Sequence, residues 1–107
     1  MQTTHKTDPA GDILVMEDEV TVAKGLEMVL SEEGYRVALA ATGHDAIDTF
    51  DKKTFDLLVA DLRLPDMDGL DVIKMVKEKW PQTQVVVITG YSSLNAVVSS
   101  MKLGAYD

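Results

Sequence analysis

Three short apolar runs constrain this chain more than anything else in it. Asp12–Met16, Phe55–Asp61 and Gln84–Thr89 are rich in Val, Ile and Leu, and each is too short for a helix. Such runs read as strands buried on both faces, the kind parallel sheets require. After each, the period changes from strand to helix. From Glu19 onward, Val22, Leu26, Val29 and Leu30 share one helical face, and Gly34 stands where helices commonly end. Tyr35–Ala40, in which larger and smaller side chains alternate from Val37 on, reads as a second strand, at an edge. Thr42, followed three residues later by Asp45, is a capping-box pattern opening a helix that carries Ala46, Ile47 and Phe50. Asp68-Gly69 leads into a further helix, expected to turn Leu70, Ile73, Val76 and Trp80 inward and to stop at Pro81. Beyond the Gly90–Ser93 loop, a last helix presents Leu94, Val97, Val98, Met101 and Ala105. The order is strand, helix, four times over. That alternation predicts an α/β fold, a doubly wound parallel sheet with helices on both faces and right-handed crossovers.

At 107 residues the chain makes one domain. Residues 1–11 are polar, lack the apolar stretch of a signal peptide and read as a flexible lead-in. No apolar run approaches the roughly 20 residues that span a bilayer, so no membrane association is expected. The sequence has no cysteine, which excludes disulfides, thiol chemistry and thiolate metal sites and fits a cytoplasmic location. The net charge of -8 argues against a nucleic-acid-binding face, since phosphate contacts need clustered Lys and Arg. If carboxylates converge, the same charge favours a divalent cation.

The ends of the strands carry that convergence. The apolar runs stop at Glu17-Asp18, at Asp61 and at Thr89. In a parallel sheet all three ends lie on one rim, where open α/β folds place their chemistry. Taken singly, Asp61 is equally well read as a strand cap or turn starter, and Thr89 as an ordinary strand-end hydroxyl. Taken together, three nearby carboxylates repel one another unless a cation joins them. An all-oxygen donor set without His or Cys favours Mg²⁺. Such a nest beside a carboxylate and a hydroxyl suits phosphoryl transfer, in which positioning and charge neutralisation dominate. On this reading Asp61 is the nucleophile and forms an aspartyl phosphate. Asp18 and Glu17 hold Mg²⁺, the Arg63 backbone carbonyl reaches the same ion, and Thr89 donates its hydroxyl to a phosphoryl oxygen.

Four blocks agree in order and spacing with a known family: Ile13–Glu19, Asp61–Gly69, Val87–Gly90 and Met101–Asp107. From about Asp12 onward the chain resembles the receiver domain of bacterial two-component response regulators. The Tyr91-Ser92-Ser93 loop and the Lys102–Asp107 segment are most similar to receivers of the NtrC type, which control sigma-54-dependent transcription. The resemblance implies a flavodoxin-like sheet with strand order 2-1-3-4 and then a fifth strand. It also implies Mg²⁺-dependent transfer of a phosphoryl group to Asp61 from the phosphohistidine of a sensor histidine kinase. Such a domain is no conventional enzyme, though it assists its own phosphorylation and dephosphorylation.

Two departures from the family carry expectations of their own. Its first acidic position is usually Asp, and here it is Glu17, one methylene longer. Family members also continue past the position of Asp107 with an aromatic residue, a fifth strand bearing a lysine, and a fifth helix; Tyr106 falls two residues too early to be that aromatic. On this basis residues 12–107 are expected to be an incomplete receiver that binds Mg²⁺ weakly and phosphorylates poorly. Its exposed fourth strand is expected to recruit a partner by dimerisation or segment exchange. Other readings are the receiver of a hybrid histidine kinase and a receiver-like interaction module that is never phosphorylated. Haloacid-dehalogenase phosphatases want Asp-x-Asp directly after a strand, and here Asp61-Leu62-Arg63 stands there. Asp66-Met67-Asp68-Gly69 lacks the third oxygen ligand and distal Glu of an EF-hand loop. His5 and His44 read as surface histidines.

Overall fold

The computed structural model describes residues 11–88. Within them four strands and three helices alternate: β1 Asp12–Met16, α1 Val20–Glu32, β2 Arg36–Ala40, α2 Gly43–Lys52, β3 Leu57–Asp61, α3 Gly69–Lys79 and β4 Gln84–Ile88. All strand pairs are parallel, and the order is β2-β1-β3-β4. This is the doubly wound parallel sheet expected from the alternation, in the flavodoxin-like strand order that the resemblance implies. β2 lies at one edge of it, as its mixed composition predicts. Among the described strands β4 stands at the other edge, while Thr89 and the last predicted helix lie outside the described residues.

Side-chain alternation along the strands splits the core in two. Leu14 and Met16 of β1, with Leu58 and Ala60 of β3, pack beneath α2 and α3 around Ala46, Phe50, Val72 and Val76. Ile13 and Val15, with Leu57 and Val59, face the other way onto Leu26 and Leu30 of α1. Phe50 anchors the larger half, edge-on to Phe55 at 5.2 Å between ring centroids and tilted against Trp80 at 4.9 Å. α1 ends as its glycine predicts. Gly34 takes φ +100°, its amide donates to the Ser31 carbonyl, and the Tyr35 amide donates to the Leu30 carbonyl, the paired bonds of a Schellman stop.

The inward face of α3 differs from the sequence expectation. Val72 and Val76 are fully buried, Ile73 and Trp80 are half-buried, and Leu70 is 48% exposed. The cause is Gly69, which seats the start of α3 directly on the end of β3. The buried line then follows positions 69, 72 and 76, not 70, 73 and 76. Strand β3 also begins two residues later than the apolar run suggests. Asp56 is taken up by the lower rim, where its carboxylate accepts the Asp12 amide at 2.8 Å.

That lower rim, at the N-terminal ends of the strands, is closed by charge pairing. Arg36 donates to both oxygens of Asp12 at 2.8 and 2.9 Å, and Lys53 reaches the same carboxylate at 2.8 Å. The Arg36 and Lys53 contacts hold the Asp12 carboxyl down to about 2. A cleft of about 370 Å³ between Thr54–Asp56 and Lys79–Thr83 opens at this rim, away from the strand ends that carry the carboxylates.

Candidate metal and phosphoryl site

The opposite rim is built by register. Met16 pairs with Ala60 across β1 and β3, so one further step places Glu17 alongside Asp61. Asp18 follows immediately. Ligand oxygens of Glu17, Asp18 and Asp61 lie within 4.8 Å of one another, and no other such acidic group occurs among the described residues. Glu17 and Asp61 are only 6% and 7% exposed, whereas Asp18 faces solvent.

Backbone contacts hold each member in place. The Glu17 amide donates to the Ala40 carbonyl at 2.9 Å, extending the β1–β2 ladder by one bond. Its side chain turns back to accept the Glu19 amide at 3.0 Å, just ahead of α1. Asp61 accepts the Arg63 amide on Oδ1 at 3.1 Å, an Asx-type turn that starts the following loop. That loop closes on itself through an antiparallel bridge between Arg63 and Asp68. Asp68 then caps α3 by accepting the Leu70 amide at 3.0 Å.

Gly69 is a site residue that local sequence reasoning passed over as part of a turn. It does not take a positive φ, so conformational freedom is not its role. A Cβ there would lie 2.5 Å from the Asp61 carbonyl oxygen and 2.6 Å from the Leu62 Cα. Only glycine lets the helix approach the strand end this closely. The available signal was a glycine at a helical position that needs no special backbone.

The electrostatics of the nest are those of an anion cluster short of a cation. Burial pushes the Glu17 carboxyl up to about 7, and the neighbouring Asp61 and Asp18 carboxylates push the same way, against the Glu19 amide. Among the described residues no Lys, Arg or His forms an ion pair with Glu17, Asp18 or Asp61. The donor set is all oxygen, partly buried and open on the Asp18 side. It fits a hard divalent cation that keeps some of its water. Glu17, Asp18 and Asp61 are thus brought together as the strand-end pattern predicts. Arg63 contacts the nest through its amide, which donates to Asp61 Oδ1.

The family model of the response regulator receiver domain matches residues 13–107. This chain belongs to that family. The receiver is 40% identical over 96 residues to the transcriptional regulatory protein ZraR of Salmonella typhimurium, covering 90% of this chain and 22% of that protein. It is 32% identical over 97 residues to the DNA-binding transcriptional regulator NtrC of Proteus hauseri, covering 91% of this chain and 20% of that protein. The chain therefore spans about a fifth of the length of these curated relatives. Among solved structures, the CheY-like receiver domain protein of Methanospirillum hungatei superposes with a TM-score of 0.73 at 31% identity, covering 88% of this chain and 75% of that one. The likeness to NtrC-type regulators read from the sequence agrees with these relatives.

Proposed function

We propose that this receiver takes a phosphoryl group on Asp61 from the phosphohistidine of a sensor histidine kinase, in the cytoplasm, and thereby controls a transcriptional output domain of the NtrC type. The observation that carries this reading is the convergence of Glu17, Asp18 and Asp61 within 4.8 Å at adjoining strand ends of a receiver fold. An Asp61 carboxylate oxygen attacks phosphorus as the phosphorus–nitrogen bond of the phosphohistidine breaks, and the imidazole leaves with the bonding pair and picks up a proton. Glu17, Asp18, Asp61 and the Arg63 backbone carbonyl would hold Mg²⁺. That ion supplies charge neutralisation for the phosphoryl oxygens. The Arg63 amide on Oδ1 fixes the rotation of the Asp61 carboxylate, leaving Oδ2 as the attacking atom. Thr89, next in sequence after the β4 residue paired with Asp61, donates its hydroxyl to a phosphoryl oxygen. Nucleic acid is contacted by other parts of such regulators, since this segment carries a net charge of -8.

Incubation with acetyl phosphate and Mg²⁺, followed by intact-mass measurement, tests the assignment. One added phosphoryl group is expected on the native chain and none on Asp61→Asn. No adduct on the native chain would favour an interaction module that is never phosphorylated. An adduct that persists in Asp61→Asn places the acceptor elsewhere.

A further inference from the structure

The loop that leaves Asp61 is fastened to a helix that contributes nothing to the acidic nest. Residues 62–68 run from the end of β3 to the start of α3, closed at their base by the Arg63–Asp68 bridge. Near the tip, Asp66 reaches across to the start of α2. Its carboxylate accepts the Gly43 amide at 2.9 Å and the His44 amide at 3.0 Å, and the His44 ring nitrogen Nδ1 meets Oδ2. A helix leaves its first four amides without partners inside the helix. Here Thr42 takes the Asp45 amide at 3.0 Å, so α2's own cap serves one amide and the loop serves two. Beside them a Cβ on Gly43 would overlap the Met67 side chain, so the residue after Asp66 is seated on the same turn. The amides and the His44 contact, with the Gly43 amide first, hold the Asp66 carboxyl down to about 2, so the tie is anionic across the working pH range.

The tie bears on the acidic centre through the backbone. Arg63 is at once the base of this loop and the donor to Asp61 Oδ1. A loop that swings away from α2 takes that amide, and with it the orientation of the Asp61 carboxylate. We propose that Asp66 is a positioning residue for the acidic centre, fastening the 62–68 loop to the N-terminus of α2 so that Asp61 and the Arg63 backbone are held ready for a divalent cation. This rests on the phosphoacceptor reading above, and deepens it by naming the contact outside the nest that keeps it ordered. Groups that hydrogen-bond a metal ligand directly alter metal affinity by about 10–100-fold when removed; Asp66 acts one contact further out, through the Arg63 backbone, so the low end of that range is expected.

The test compares four versions of the 107-residue chain: native, Asp66→Ala, Asp66→Asn and Thr42→Ala. Mg²⁺ titrations followed in ¹H–¹⁵N spectra give the dissociation constants, and thermal unfolding without Mg²⁺ gives the stabilities. Asp66→Ala is expected to weaken Mg²⁺ binding about 10-fold. Asp66→Asn keeps an acceptor oxygen for the Gly43 amide and is expected to recover part of the loss. Thr42→Ala removes a cap from the same helix without touching the loop, and is expected to bind Mg²⁺ as the native chain does at a similar loss of stability. Native affinity in Asp66→Ala overturns the proposal, as does an equal loss in Thr42→Ala, which would make α2 stability alone responsible. If Asp66→Ala fails to fold, Asp66→Asn decides, and native affinity there overturns it. Absence of Mg²⁺ binding by the native chain sinks the phosphoacceptor reading and this inference together. Native binding with an indifferent Asp66 sinks only the second.

Discussion

Gly69→Ala separates damage to the site from damage to the fold. The added methyl would stand 2.5 Å from the Asp61 carbonyl oxygen, about 0.9 Å inside the 3.4 Å at which ordinary contact begins, and 2.6 Å from the Leu62 Cα. Both obstacles are backbone, so either α3 lifts from the sheet or the end of β3 gives way. Overpacking of this degree costs about 1–3 kcal/mol, and the better helix propensity of alanine returns up to about 1 kcal/mol. A net loss of about 1 kcal/mol follows, small against a folding free energy of about 5–15 kcal/mol. The displaced atoms include the carbonyl of the proposed nucleophile and the residue before Arg63, so Mg²⁺ affinity should fall about 10-fold. Gly34→Ala is the natural comparison. That glycine has φ +100° and open space around it, so alanine there costs about 1–2 kcal/mol of backbone strain and leaves the nest alone. Urea unfolding should give the two variants similar stabilities, and Mg²⁺ titration should tell them apart. Equal Mg²⁺ affinity in the two would refute the claim that Gly69 is there to let α3 approach Asp61.

Two further outcomes are expected. Glu17 ionises at about 7 in the folded chain against 4.5 when free, so the folded state keeps a proton that the unfolded state has lost; metal-free stability should fall as pH rises from about 4.5 to about 7. Mg²⁺ or Glu17→Gln should flatten that fall, and a metal-free stability rising across the window in urea titrations would refute the sign. Phe50 is 1% exposed and touches two other aromatic rings, so Phe50→Ala should cost about 3–5 kcal/mol; a change in melting temperature of only a degree or two would place the core's centre elsewhere.

The legible part of this fold was the part set by local pattern. β1 was readable to the residue, because Ile13–Met16 is an unbroken apolar run with Asp12 ahead of it and consecutive acids after it. The Schellman stop at Gly34 and the Thr42 cap were equally local, each a matter of one residue and its neighbours. The acidic nest was legible for a less local reason. Parallel strands put all their C-terminal ends on one side, so topology alone brings Glu17 to Asp61. The facing of α3 was not legible, because its apolar residues fit more than one helical stripe. The choice between Leu70 and Val72 as the inward residue is made by the contact of Gly69 with Asp61 and Leu62, which no periodicity contains. Nor was the role of Asp66. Its amide partners lie 22 and 23 residues away in sequence, and nothing in the Pro-Asp-Met-Asp-Gly turn distinguishes an aspartate that caps another element from one that shapes its own loop.

The two rims of the sheet treat charge in opposite ways. At the lower rim one carboxylate, Asp12, is answered twice from within the chain, by Arg36 and by Lys53. At the upper rim three carboxylates sit together, and no cation among the described residues answers them. The lower rim is an electrically closed circuit, its carboxylate neutralised from within the chain by side chains that salt screens but does not replace. The upper rim is an open one, whose energy depends on which ions pass by. A sheet wired this way has a fixed pole and a responsive pole about one strand length apart. Among the described residues, a bound cation would therefore change the energy of the upper rim far more than that of the lower.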